Sequence, residues 1–116
     1  MIPAVYNMPN QYKGDTFDGL QFTLQLEDLS PISLVGASLR CQFRPTSKKH
    51  PVAKEITNLS GITVSNAALG IFSIDAFLVD LEVSLYYYDI QVTFAGGVVK
   101  TYIEGTISII QDVTYG

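Results

Sequence analysis

The sequence is short of the residue types that usually announce chemistry. It holds one cysteine, one histidine and no tryptophan in 116 residues. With Cys41 alone, no disulfide closes within the chain and no zinc site can be built on thiolates. Leu39-Arg40-Cys41-Gln42-Phe43 puts that thiol on the strand face of Leu39 and Phe43, the setting of a small buried hydrophobe. His50 stands in Lys48-Lys49-His50-Pro51, with no nucleophile elbow around it, so a solvated loop histidine is expected. Charge is scarce as well. Charged residues make up 16% of the chain, against a usual share of about 25%. Seven basic residues face eleven acidic ones, for a net charge of -4. That balance lacks the cationic footprint of a nucleic-acid binder. No run approaches the roughly 20 apolar residues of a membrane-spanning helix. Met1 to Tyr6 have neither the basic region nor the apolar stretch of a signal peptide. The expectation is one domain made in the cytoplasm, with no cofactor, no nucleic acid and no membrane insertion.

What the sequence does have is β pattern. Tyr86 to Phe94 alternates, Ala95-Gly96-Gly97 turns, and Val98 to Ile103 alternates again. Two alternating runs around a Gly-Gly turn predict a long β-hairpin. Tyr86, Tyr88, Ile90, Val92 and Phe94 are expected inside, and Tyr87 and Tyr102 outside. The last strand is expected to turn Val99, Thr101, Ile103, Gly105, Ile107 and Ile109 to one face, with Gly105 marking a bulge. The stretch Tyr86 to Tyr88 offers a tyrosine to anchor the connector before its strand, and the inward Tyr88 needs a backbone partner for its hydroxyl.

Similar alternation predicts strands over Thr16–Glu27, Ser33–Arg44, Val52–Thr57, Ile62–Val64 and Ile71–Phe77. The mixed faces of Val52–Thr57 suit a sheet edge. Leu78, Leu81 and Leu85 share helical spacing, so the stretch 78–84 is expected to hold at most a short helical turn. Residues 1–13 show no period and carry two prolines and one charge. They predict an extended N-terminal arm, tied down by Val5, Tyr6 and Tyr12, ahead of a β domain over 14–116. The fold class is therefore all-β: an antiparallel, immunoglobulin-like sandwich of about seven strands, without the Cys-Trp-Cys core of antibody domains.

Carboxylates are the last place to look for catalysis or metal. Asp15 with Asp18, and Asp75 with Asp80 and Glu82, match no metal-loop or acid–base spacing. Outward strand positions and turns account for them. No glycine loop joins a strand to a helix to cradle phosphate. The chain reads as no enzyme, with no catalytic, cofactor or metal residues.

Several segments nevertheless carry a resemblance. Gly14-Asp15-Thr16-Phe17 precedes an alternating strand, and Leu34 to Arg44 and Gly70-Ile71-Phe72-Ser73-Ile74 follow. Tyr86-Tyr87-Tyr88-Asp89-Ile90-Gln91-Val92 comes next, and Glu104 to Thr114 closes the series. Over about residues 14–114 this resembles the small immunoglobulin-like structural domains of tailed bacteriophages, including the amino-terminal domain of baseplate upper proteins. The chain departs from that pattern at Ser84-Leu85, where relatives often carry glycine. Many relatives also continue into a fibre or coiled coil, so the resemblance implies a virion subunit rather than a full receptor-binding adaptor.

Two functional expectations follow. The first is a non-enzymatic virion protein of tail, baseplate or capsid, made in the host cytoplasm, that anchors or assembles through contacts with itself and with other virion proteins. Val5 and Tyr6 of the arm, and the outward Tyr87 and Tyr102, are the candidate contact residues. The alternative is a module that binds carbohydrate at a host surface, with Tyr87 and Tyr102 as stacking platforms or, failing that, as a cross-strand pair.

Overall fold

The computed structural model describes residues 4–46 and 51–111. The basic cluster at 48–50, with His50, and the end of the last predicted strand beyond 111 lie outside the described residues. Within them the chain is all-β, with eleven strands and no helix. Ten-residue β10 (Ser84–Thr93) and twelve-residue β11 (Val99–Ile110) form the expected hairpin. Its turn is closed by the Phe94 N–H on the Val98 carbonyl and the Gly97 N–H on the Phe94 carbonyl, both at 2.8 Å.

The hairpin is the middle of the larger sheet. On the far side of β10 lie β5 (Ser38–Pro45) and then β6 (Lys54–Thr57) at the margin, both antiparallel to their neighbours. On the far side of β11 lie two short pieces of the amino-terminal segment, β1 (Ala4–Val5) and β2 (Gln11–Tyr12), both parallel to β11. A smaller antiparallel sheet runs β4 (Leu20–Thr23), β8 (Ile71–Ile74), β7 (Ile62–Asn66). A two-stranded piece pairs β3 (Thr16–Phe17) with β9 (Phe77–Leu78).

Both main sheets turn apolar residues to one shared core. Leu39, Cys41 and Phe43 of β5, with Tyr86, Tyr88, Ile90 and Val92 of β10, come from one side; Ile62, Phe72 and Ile74 come from the other. Each fully buried Phe or Ile of this set contributes about 1.5–3 kcal/mol of apolar transfer energy. Aromatic contacts cross between the layers. Phe17 packs on Phe77 at 5.1 Å between ring centres, Phe77 on Phe43 at 6.4 Å, and Phe43 on Tyr88 at 6.0 Å. Such pairs add about 0.5–1.5 kcal/mol beyond their buried area.

Three expectations are corrected. The run Thr16–Glu27 is two strands, β3 and β4, because the chain switches partner from β9 to β8 at Gly19. That glycine has φ +92°, and a Cβ there would stand 2.9 Å from the Ile74 carbonyl oxygen. The run from Ser33 begins its strand only at Ser38, since residues 34–37 close a turn with the Ala37 N–H on the Leu34 carbonyl at 3.0 Å. The stretch 78–84, where at most a short helical turn is expected, forms none. Val79 and Leu81 point inward at a period of two while Leu78 and Leu85 are exposed. Extended backbone there is held by reciprocal bonds, Val79 N–H to the Asp15 carbonyl and Gly14 N–H to the Val79 carbonyl, both at 2.8 Å.

The third correction is the phase of β11. Ile90 opposes Ile103 but Gln91 opposes Thr101, so Tyr102 is an extra residue in β11. This β-bulge flips the alternation. Val99 and Thr101 fall on the outer face beside Thr93 and Gln91, and Tyr102 joins Ile103 inside. Gly105, expected to mark the bulge, serves another purpose. A Cβ there would stand 1.9 Å from the Tyr6 carbonyl oxygen, so its missing side chain is the space through which the amino-terminal segment passes.

Candidate docking surface

Residues 4–13 run along the edge of β11 as part of the sheet. The Tyr6 N–H donates to the Glu104 carbonyl at 2.9 Å, Met8 N–H to the Thr106 carbonyl at 2.8 Å, and Lys13 N–H to the Ile110 carbonyl at 2.9 Å. Asn7 Oδ1 accepts from the backbone N–H of Thr106 at 3.1 Å and from its hydroxyl at 3.2 Å. Met8 drops its side chain into the core at 5% exposure. The sequence hid Met8, a single apolar residue among Asn7, Pro9, Asn10 and Gln11 with no period around it.

Two of the tyrosines hold the backbone through their hydroxyls. Tyr88 donates to the Tyr6 carbonyl at 2.5 Å, and Tyr86 donates to the Glu82 carbonyl at 2.7 Å. Burial raises the Tyr88 phenol well above its ordinary range, with Cys41 and Tyr6 adding to the effect. Burial, then the negative charge of Asp89, raises the Cys41 thiol. Burial also raises Tyr86, with Glu82 adding, and Tyr102. All four shifts move these groups further from ionisation at neutral pH.

The four candidate contact residues separate. Val5 is 68% exposed on the outer face of β1, and Tyr6 is 40% exposed beside it. Tyr87 is half-buried on the outer face of the large sheet, opposite Arg44 and Thr106. Tyr102 is buried, at 8% exposure, with its ring edge-on to Phe94 at 6.2 Å. Tyr87 and Tyr102 therefore form neither an outer platform nor a cross-strand pair. The bulge at Tyr102 is the physical reason.

Tyr6 and Tyr102 do meet at one place. They line an apolar groove of about 930 Å³ with Leu20, Phe22, Leu24 and Ile32. The groove lies where the two sheets part, between β1 of the large sheet and β4 of the small one. Tyr6 crosses it to set its ring edge-on to Phe22 at 6.1 Å, and Phe22 stacks on Phe72 at 5.4 Å. Among the described residues β4 pairs only with β8, so that its other edge faces the groove without a partner strand. From Leu20 to Leu26 this edge carries no charge and no proline. Edge strands are ordinarily guarded by such residues, and an unguarded one is a template for another strand. At the opposite margin β6 carries Lys54 and Glu55, and the Lys54 ammonium sits 4.6 Å from the centre of the Phe77 ring.

The carboxylates weighed from the sequence have other partners. The Asp75 carboxylate accepts from the Thr63 hydroxyl at 2.7 Å, and Glu82 pairs with Lys13 at 3.2 Å. Among the described residues no three Asp, Glu, His or Cys side chains cluster as metal ligands, and no helix is long and apolar enough to cross a membrane. No protein-family model matches the sequence, and no curated protein is found similar to it.

Proposed function

We propose that this chain is a non-enzymatic structural subunit of a bacteriophage virion that assembles by strand pairing at the β4 edge, with a second copy of itself as the first partner. The single observation that carries the assembly reading is the uncharged β4 edge, without a partner strand among the described residues, beside an apolar groove of about 930 Å³. Antiparallel pairing of β4 with β4 of another copy about a two-fold axis would extend the small sheet and cover the groove rim. Neither copy brings a charge to that seam between Leu20 and Leu26.

The immunoglobulin-like reading has its own support. The neighbours β4-β8-β7 and β6-β5-β10-β11 follow the B-E-D and C′-C-F-G order of that fold. Tyr86, near the start of β10, bonds back to the Glu82 carbonyl in the manner of a tyrosine corner. The phage assignment rests on the sequence resemblance over residues 14–114, which also implies the virion as the final location and other virion proteins as further partners.

Light scattering at several concentrations tests the assembly reading. The wild type should show mass rising above one chain, and the pair Gln21→Lys with Thr23→Lys should hold it at one chain without changing its melting temperature. A wild type that stays single at every concentration, or a charged variant that associates equally, overturns it. Flanking genes without tail or capsid products would remove the phage assignment.

A further inference from the structure

The outer face of the large sheet ends in a small pocket, distinct from the groove and from the assembly reading. Arg40 of β5 sits between Thr57 of β6 and Gln91 of β10 in cross-strand register. One row nearer the hairpin turn, Ser38 opposes Thr93. With Asn58 and the exposed Leu59 at the rim, these residues line an open pocket of about 310 Å³, the low end of the range for small-ligand sites.

The guanidinium is held but not neutralised. Gln91 Oε1 accepts from Arg40 Nη2 at 2.6 Å, and Arg40 makes no ion pair among the described residues. On β6, Glu55 instead takes its hydrogen bond from Gln42, at 2.6 Å. In a chain of net charge -4, this is an oriented cation that no acid among the described residues pairs with. An arginine held on one side by a neutral amide still offers a fork of donors, which matches a planar carboxylate. A single cation suits a monoanion; a phosphate dianion calls for further cations or a cluster of backbone N–H groups. The rest of the wall mixes neutral donors and acceptors with the apolar Leu39 and Leu59. Ser38, Thr57 and Thr93 offer hydroxyls. Asn58 uses its Oδ1 to accept from the Leu39 N–H at 3.1 Å, which leaves its amide N–H groups for another acceptor.

We infer that this pocket binds a carboxylate-bearing sugar unit, a hexuronate, with Arg40 on the carboxylate and the hydroxyl and amide wall on the ring hydroxyls. The ligand can come as a free sugar or as a unit of an acidic polysaccharide.

Amide and arginine side-chain NMR of the full chain tests this with glucuronate, with glucose and acetate as controls, and with a tetrasaccharide containing glucuronate. Glucuronate or the tetrasaccharide should give saturable shifts at Arg40, Gln91 and Thr93, and whichever binds identifies the source. Arg40→Gln, at an exposed position, should weaken binding about tenfold or more. Arg40→Lys should weaken it too, because the charge stays and the fork is lost. Thr93→Val should weaken glucuronate and leave any acetate response unchanged. No saturable shift with either ligand, equal response to acetate, or full binding by Arg40→Gln overturns the proposal.

Discussion

The Tyr88 hydroxyl reaches across β11 to the Tyr6 carbonyl at 2.5 Å, over the space left by Gly105. One side chain of the central hairpin thereby holds the backbone of the amino-terminal segment, 82 residues away in sequence. The relationship has three parts: a phenol on β10, a carbonyl in the segment, and a missing Cβ between them. Each part can be changed separately.

Gly105→Ala attacks the missing Cβ. The new methyl carbon would meet the Tyr6 carbonyl oxygen at 1.9 Å and its carbon at 2.7 Å, both backbone atoms that cannot rotate aside. The segment must lift, and the bond from Tyr6 N–H to Glu104 goes with it. The expected cost is about 1–3 kcal/mol. Hydrogen exchange localises it: the amides of Tyr6 and Met8 should lose protection while those of Ile90 and Val92 keep theirs. Unchanged protection at Tyr6 would show that the close approach is absent.

Tyr88→Phe removes the phenol oxygen and leaves the ring packed on Phe43. Tyr86→Phe does the same at the Glu82 carbonyl. Each should lower unfolding free energy by about 1 kcal/mol, read from urea titrations. The two bonds lie at different places, one on the segment and one on the connector before β10, so the double variant should lose the sum. A null effect of Tyr88→Phe would mean that backbone pairing alone fastens the segment.

How far the sequence foretold this arrangement depends on what each residue touches. The β10 alternation was legible because its two faces differ in polarity at every step, and Tyr86, Tyr88, Ile90 and Val92 are all buried. The bulge at Tyr102 was not, because Tyr102 and Ile103 suit either face and an inserted residue leaves no composition mark. Gly105 announced that something special happens in β11, but a bulge and a close backbone approach call for the same residue. Leu78, Leu81 and Leu85 mimic a helical stripe, yet the bonds between Val79 and residues 14 and 15 are long-range and hold the chain extended. The groove joins residues 4–6, 20–32 and 102–103, and no local window contains it. Arg40 read as an outward strand residue; that no acid among the described residues pairs with it appears only once the neighbouring strands are in register.

Tyr102→Ala and Tyr87→Ala separate the bulged register from a regular one. In the bulged register Tyr102 fills the groove wall against Phe94, and truncation should cost about 3 kcal/mol by analogy with other buried aromatics. Tyr87, half-buried on the outer face, should cost under about 1 kcal/mol. Urea unfolding of both variants measures the difference. Equal costs, or the reverse order, would return Tyr102 to the outer face.

Alkaline pH should destabilise the protein in a way that traces to the pair at the core, Cys41 and Tyr88. Both groups have folded pKa values above their ordinary ones, 9.0 for the thiol and 10.0 for the phenol. A raised acid is held neutral by the fold, so its contribution is fully present below the unfolded value. The unfolded chain releases its proton first as pH rises, and stability falls from that point up through the folded value. Loss should therefore begin near pH 9 with Cys41 and steepen above pH 10 as Tyr88 joins. Cys41→Ala should remove the first part of the slope, and adding Tyr88→Phe should flatten much of the rest. Melting temperatures between pH 8 and about 11 read both effects. An alkaline slope that Cys41→Ala leaves unchanged would show that the thiol is not held neutral inside the sheet.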